Sequence, residues 1–200
     1  YDSIKQMLVK TPKNTKGSNK PKIIAVVGAT ATGKSALAVR LAKDFKGEVV
    51  SADSRQVYKG LDIGTGKITK KEMRGIPHYL LDILSPQQTG SVEIFKSKAS
   101  KSIEKIVASK KQPITAGGTG FYIDALLLNQ QFPDVSKNTE LRKALENKTV
   151  DMLFKILEKL DPRRAKSIDP NNKVRLIRAI EIAKALGKVP KVRTTPKYET

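Results

Sequence analysis

The chain has 200 residues, 38% of them apolar, and carries 39 Lys and Arg against 19 Asp and Glu, a formal charge of +20 at pH 7. That length fits one domain, or one domain bearing a smaller insertion. The lack of cysteine excludes disulfides and thiolate metal sites, and no apolar run approaches the ~18 residues that a membrane-spanning helix needs. So basic a surface suits a polyanion, phosphate backbones first among them. The competing account is a lysine-rich composition whose charges merely solvate helix faces. A cytoplasmic monomer with no membrane partner is expected.

In chain order, residues 1–21 read as a disordered basic arm, without the apolar centre of a signal peptide. Ile23 to Val27 is a short unbroken apolar run, predicting a strand buried on both faces. A helix follows over Lys34 to Lys43, and Glu48 to Ser51 reads as a second strand that ends at Asp53. His78 to Leu84 and Pro113 to Ala116 read as the third and fourth strands. Between them Val92, Phe95, Ala99, Ile103, Ile106 and Val107 recur at helical spacing. Strands alternating with helices predict an α/β fold, a parallel sheet flanked by helices, over residues 22–128.

From Asn129 the pattern turns helical. Thr139 to Asn147, Val150 to Leu160 and Lys173 to Leu186 predict an inserted all-helical subdomain over 129–190. Residues 191–200, rich in Pro and Lys, read as a linker leading to a C-terminal core segment that the chain lacks.

Gly28-Ala29-Thr30-Ala31-Thr32-Gly33-Lys34-Ser35 matches G-x-x-x-x-G-K-[ST] between a predicted strand and a predicted helix. In such a P-loop the glycines allow turns that aim several N–H groups into one concavity, at the positive end of a helix dipole. Lys34 supplies a formal charge to the outer phosphate oxygens, and Ser35 offers its hydroxyl to Mg²⁺. A di- or triphosphate is therefore the expected ligand. The cradle does not choose the bond that breaks: ATP and a prenyl diphosphate both develop negative charge on phosphate oxygens.

Four further segments carry a resemblance. Ser51-Ala52-Asp53-Ser54-Arg55-Gln56-Val57-Tyr58-Lys59-Gly60-Leu61-Asp62-Ile63-Gly64-Thr65-Gly66-Lys67 resembles the second motif of the tRNA dimethylallyltransferase (tRNA isopentenyltransferase) family. Ile76-Pro77-His78-Tyr79-Leu80-Leu81-Asp82-Ile83 is similar to that family's Pro-His-x-Leu-x-Asp segment, and Gly117-Gly118-Thr119-Gly120-Phe121-Tyr122-Ile123 to its Gly-Gly-Thr-Gly loop. Asp169-Pro170-Asn171 with Arg175-Leu176-Ile177-Arg178-Ala179-Ile180-Glu181 resembles a helix of its inserted domain. The resemblance implies a P-loop NTPase-like fold, dimethylallyl diphosphate as donor, Mg²⁺, and N6 of adenosine 37 in tRNA as acceptor, with Lys34 and Thr119 acting beside Asp53 in catalysis.

Carried onto this sequence, the resemblance makes Asp53 a general base, which a delocalised exocyclic amine requires. The competing readings for Asp53 are a Mg²⁺ ligand and a helix cap. The resemblance also assigns Asp53, Ser54, Arg55, Gln56 and Thr119 to tRNA around an extruded adenine. It assigns Arg142 and Val174, Arg175, Leu176, Ile177 and Arg178 to tRNA as well. Spacing alone weighs Arg175 and Arg178 equally as a solvated helix face. Lys67 is left between a phosphate contact and a counter-charge to Asp62, and His78 reads as structural. Ala29 stands where the family commonly has Pro, which leaves the N–H cradle intact. The rival readings are an adenylate isopentenyltransferase acting on AMP, ADP or ATP, a P-loop small-molecule kinase, and a non-catalytic tRNA-binding module.

Overall fold

The computed structural model describes residues 20–200, so the expected basic arm falls almost wholly outside the described residues. These divide into two compact units: residues 20–130 with Thr194–Thr200, and Gln131–Arg193.

The first unit is built on a four-stranded, all-parallel sheet in the order β1-β4-β2-β3, with β1 at Ile24–Val27, β2 at Gly47–Ser51, β3 at His78–Tyr79 and β4 at Gln112–Gly117. Each crossover carries a helix: α1 (Lys34–Asp44) after β1, the short α2 (Lys70–Met73) before β3 and α3 (Val92–Ala108) before β4; α4 (Gly120–Leu127) follows the last strand. α1 lays Ala38 and Ala42 on Val26, Val49 and Ile114. α3 turns Phe95, Ala99, Ile103 and Ile106 inward, on the predicted spacing, and Phe95 stacks on Tyr122 of α4 with ring centroids 4.3 Å apart. Burial of these apolar faces supplies the main driving force for the layered arrangement. Ser91 begins α3 by accepting from Ile94 N, and Thr69 and Glu72 form a reciprocal capping box on α2.

Two strand expectations change. β1 was expected to be buried on both faces, but it is an edge strand and Val27 is 47% exposed. An unbroken apolar run does not distinguish a central strand from a half-covered one. The third strand, expected over His78 to Leu84, stops at Tyr79. Leu80 and Asp82 adopt positive φ (66° and 54°), and the chain leaves the sheet to run beside residues 56–59, where Leu84 N donates to Val57 O and Lys59 N to Leu84 O. Left-handed backbone is incompatible with a continuing ladder.

The second unit consists of α5 (Thr139–Glu146), α6 (Val150–Leu160), α7 (Pro162–Ala165) and α8 (Lys173–Leu186), with no strand among its residues beyond the single bridge Gln131–Arg193. Its core gathers Leu145, Leu153, Leu157, Ile168, Leu176 and Ile180. Asn138, Thr149, Asp161 and Asn172 each accept a backbone N–H at a helix start, and Gly187 ends α8 in the left-handed region. Residues 194–200, expected to be linker, belong to the first unit. Thr195 N donates to Leu128 O, and Glu199 lies beside β1 through Ile23 N–Glu199 O (2.8 Å) and Glu199 N–Pro21 O (3.0 Å). No described helix is long and apolar enough to cross a membrane.

Candidate active site

β1 delivers the chain into Gly28–Gly33, an exposed loop that runs straight into α1. Gly33 occupies the N-cap position at φ 81°, ψ 13°, a conformation glycine adopts without a Cβ penalty, and no side chain caps the helix. Ala31 is also left-handed (φ 62°), which the loop must hold against its Cβ. None of the backbone amides from Thr30 to Ser35 has a partner among the described residues. They are therefore free to receive an anion, at the positive end of the helix dipole. Thr32 Oγ1 (2.9 Å) and Lys34 Nζ both donate to Ala29 O, so the lysine is folded back over the loop it would serve.

The ends of β2 and β4 meet beside this loop. Ala52 N donates to Ala116 O at 2.8 Å, and Thr119 N to Ala52 O at 3.3 Å. A Cβ on Gly117 would lie 2.1 Å from Ala52 O, so only glycine permits this approach. A Cβ on Gly118 would lie 3.5 Å from Gly28 O and 3.9 Å from Lys34 Nζ, which puts the Gly-Gly-Thr-Gly turn against the phosphate loop. Thr119 stands at the start of α4 without capping it; its hydroxyl instead accepts from Ser54 N (3.0 Å) and donates to Ser54 Oγ (3.3 Å). Three segments far apart in sequence thus share the C-terminal edge of one parallel sheet, where such sheets gather ligands.

Asp53 lies in this junction, partly exposed. Its Oδ1 accepts from Arg55 N (2.8 Å) and Gln56 N (3.3 Å), while Oδ2 has no partner among the described residues. No helix starts at Asp53, so Oδ1 closes a turn at residues 53–56 rather than capping a helix, and Oδ2 stays uncommitted. Gln56 Nε2 reaches Gly66 O at 3.3 Å. Arg55 lines, with Tyr58 and Gly60–Thr65, an open cleft of about 610 Å³ whose rim carries Ile63, 99% exposed.

Lys67 proves to be a counter-charge. Its side chain is 5% exposed, and Nζ donates to Asp62 Oδ1 (2.6 Å), Asp82 Oδ1 (2.5 Å) and Tyr58 O (2.8 Å). Burial works against the ammonium charge, but the bonds to Asp62 and Asp82 outweigh it and raise the pKa. All three N–H donors are spent inside the loop, leaving none for a phosphate. His78 is structural: Nδ1 donates to Ile76 O at 2.9 Å, burial lowers its pKa, and Nε2 is buried with no partner among the described residues.

In the second unit Arg142 and Arg178 converge on one carboxylate. Arg142 Nε and Nη2 donate to Glu181 Oε1 (3.0 Å) and Oε2 (2.8 Å), and Arg178 Nη1 donates to Oε2 (2.5 Å). Of the stretch expected to touch tRNA, Val174 and Arg175 are exposed, but Leu176 and Ile177 are buried. Their side chains belong to the core, because α8 turns every third or fourth residue inward. Glu181 is a residue that sequence reasoning misses as part of this cluster. Its spacing of three from Arg178 was a usable local signal, whereas its pairing with Arg142 has none.

Among the described residues no group of three or more His, Cys, Asp or Glu side chains is placed to hold a metal ion. Ser35 carries an exposed hydroxyl on the first turn of α1, directly after the loop.

The family model for IPP transferase matches residues 56–199. The chain is 48% identical over 169 residues to a tRNA dimethylallyltransferase of Staphylococcus epidermidis, covering 81% of this chain and 51% of that protein. It is 43% identical over 188 residues to one from Thermoanaerobacter, covering 88% and 60%. Among solved structures, the full-length tRNA isopentenylpyrophosphate transferase of Bacillus halodurans is 43% identical (TM-score 0.58; 84% of this chain, 57% of that one). A eukaryotic dimethylallyltransferase acting on tRNA is 31% identical (TM-score 0.74; 90% and 47%). The chain spans about half the length of the curated relatives it matches. A family match over most of the chain, on the fold and motifs described above, leaves one assignment: this chain belongs to the IPP transferase family.

Proposed function

We infer that the chain serves transfer of a dimethylallyl group from dimethylallyl diphosphate to N6 of adenosine 37 in tRNA, with release of diphosphate. The observation that carries this reading is the junction at Gly118, which puts the uncapped phosphate loop and the Asp53–Ser54 turn on one sheet edge. In the reaction the N6 lone pair attacks C1 of the donor as the C1–O bond breaks, and the bonding pair departs on diphosphate. The amides of Gly28, Ala29, Thr30, Ala31, Thr32 and Gly33 and the Lys34 ammonium, once swung off Ala29 O, stabilise that departing charge. Asp53 Oδ2 takes the N6 proton while Oδ1 remains tied to the turn. Thr119 fixes Ser54 and so the angle of the turn. Asp53 to Gln56 and Thr119 surround the extruded adenine; Arg142, Val174, Arg175 and Arg178 serve the tRNA from the second unit.

The residues present fit Mg²⁺ in the form typical of phosphate-linked sites: one hydroxyl, from Ser35, with the remaining positions left to phosphate oxygens and water. When bound there, Mg²⁺ would neutralise charge on the diphosphate. A cytoplasmic monomer is the setting this reading implies.

The test is to incubate the purified chain with labelled dimethylallyl diphosphate and either unmodified tRNA or AMP. Label in tRNA is expected. Label in AMP would identify an adenylate isopentenyltransferase, and ATP consumption without prenyl transfer would identify a kinase. Asp53→Ala should lower turnover by ~10²–10⁴-fold with donor binding retained. A parallel fall in donor binding would make Asp53 a phosphate or metal ligand instead.

A further inference from the structure

Glu181 has been given no task by the reading above, yet its geometry is specific. It is 2% exposed, and its two oxygens accept four hydrogen bonds: three from Arg142 and Arg178, and one from Asn138 N at 2.6 Å. Arg178 Nη2 also donates to Val135 O at 2.9 Å. One carboxylate therefore ties α5, α8 and the segment before α5 together. Burial alone would raise its pKa; the bonds from Arg142, Arg178 and Asn138 N–H instead hold it at about 2.

A buried carboxylate is a costly strut. Apolar residues of similar volume join helices at least as well, as Leu176 and Ile180 do on the same helix. What an apolar residue cannot do is fix the direction of a guanidinium. Two guanidiniums carry ten N–H donors; three are committed to Glu181 and one to Val135 O, leaving six. The Arg142 and Arg178 side chains remain 28% and 30% exposed, so these donors are not sealed in the core. The triad keeps a net charge of +1, and Arg175, one turn away on the exposed side of α8, has no side-chain partner among the described residues.

We propose that Glu181 is a positioning residue for RNA: it holds Arg142 and Arg178 in fixed planes so that their uncommitted N–H groups meet a backbone phosphate of the acceptor tRNA. The inference rests on the tRNA reading above. Without Glu181 the two cations repel and swing into solvent, and each must be reordered when RNA arrives.

The discriminating variant is Glu181→Gln, which raises the local charge from +1 to +2. If charge alone attracted RNA, binding would tighten. Positioning predicts the reverse: about tenfold weaker tRNA binding, the order expected when rotamer-rich side chains must be ordered on binding, with a salt dependence shallower by about one unit of slope. The loss should appear in KM for tRNA rather than in kcat, with donor binding unchanged. Equal or tighter binding by folded Glu181→Gln overturns the proposal. Should that variant fail to fold, Arg142→Lys decides: it keeps the charge but cannot make the two-pronged bond, and wild-type tRNA affinity would overturn the proposal equally. A wild-type chain that binds no tRNA would remove the functional reading and this inference together. A wild type that prenylates tRNA beside an unaffected Glu181→Gln would remove this inference alone.

Discussion

The close approach of β2 and β4 at Gly117 can be tested by one methyl group. In Gly117→Ala the new Cβ would sit 2.1 Å from Ala52 O, 2.4 Å from Ala52 C and 2.9 Å from Ala52 Cα. Non-bonded carbon and oxygen settle at about 3.3 Å or more, so the strand ends must part by about 1 Å. The bonds that span this point are Ala52 N–Ala116 O and Thr119 N–Ala52 O. Losing both at about 1 kcal/mol each, with an overpacking cost of about 1–3 kcal/mol, gives a destabilisation of about 3–5 kcal/mol. That is a large part of the ~5–15 kcal/mol a domain has in hand. The neighbouring Gly118→Ala is the control: its Cβ would meet nothing closer than 3.5 Å, so the change should stay within about 1 kcal/mol. Urea unfolding followed by circular dichroism gives the free energies, and hydrogen exchange at the Ala52 amide reports the junction itself. A loss below about 1 kcal/mol for Gly117→Ala, or unchanged protection of the Ala52 amide, would refute the claim that this contact assembles the site.

Two further outcomes follow from the buried ions. Lys67→Met should destabilise the first unit by about 1–3 kcal/mol, less than a fully buried pair because Asp62 and Asp82 can rehydrate; proteases should then cut within residues 59–66, and unchanged resistance would contradict the clamp. Glu181 gives a pH dependence: its folded pKa is depressed from 4.5 to about 2, so its contribution is full above the unfolded value and is lost as pH falls through that window. In acid unfolding followed by circular dichroism, the wild type should therefore lose more stability between pH 4.5 and about 2 than Glu181→Gln does, and identical acid slopes for the two would refute the ion triad.

What was legible in the sequence was what local pattern determines. The apolar run that becomes β1, the glycines of the phosphate loop and the apolar spacing of α3 are each local patterns, and a strand, a loop and a helix stand at those places, although β1 lies at the sheet edge. The third strand failed because Leu80-Leu81-Asp82 has ordinary strand composition, and only the pairing of residues 80–84 with 56–59 turns it aside. Leu176 and Ile177 were assigned to tRNA by position within a motif. A motif lists residues in order, whereas a helix shows only one face, and these two fall on the inner one. Lys67 could not be settled from its neighbours, since its second carboxylate, Asp82, is fifteen residues away and is brought in by the same left-handed backbone that ends β3.

The two ion clusters are opposites, and the sign each shows to solvent is that of its outer pair. Lys67 lies buried between Asp62 and Asp82, whose side chains are 66% and 49% exposed, so that corner presents negative charge despite containing a lysine. Glu181 lies buried between two part-exposed arginines, so that corner presents positive charge despite containing a glutamate. The surplus of +20 therefore says less about where a polyanion binds than the arrangement of the few charges that are held in place. Net charge and geometry disagree at Glu181. Removing the glutamate makes the chain more basic, and a charge-only account requires tRNA to bind it more tightly. The geometry requires weaker binding, because a phosphate is gripped by oriented N–H groups rather than by charge alone.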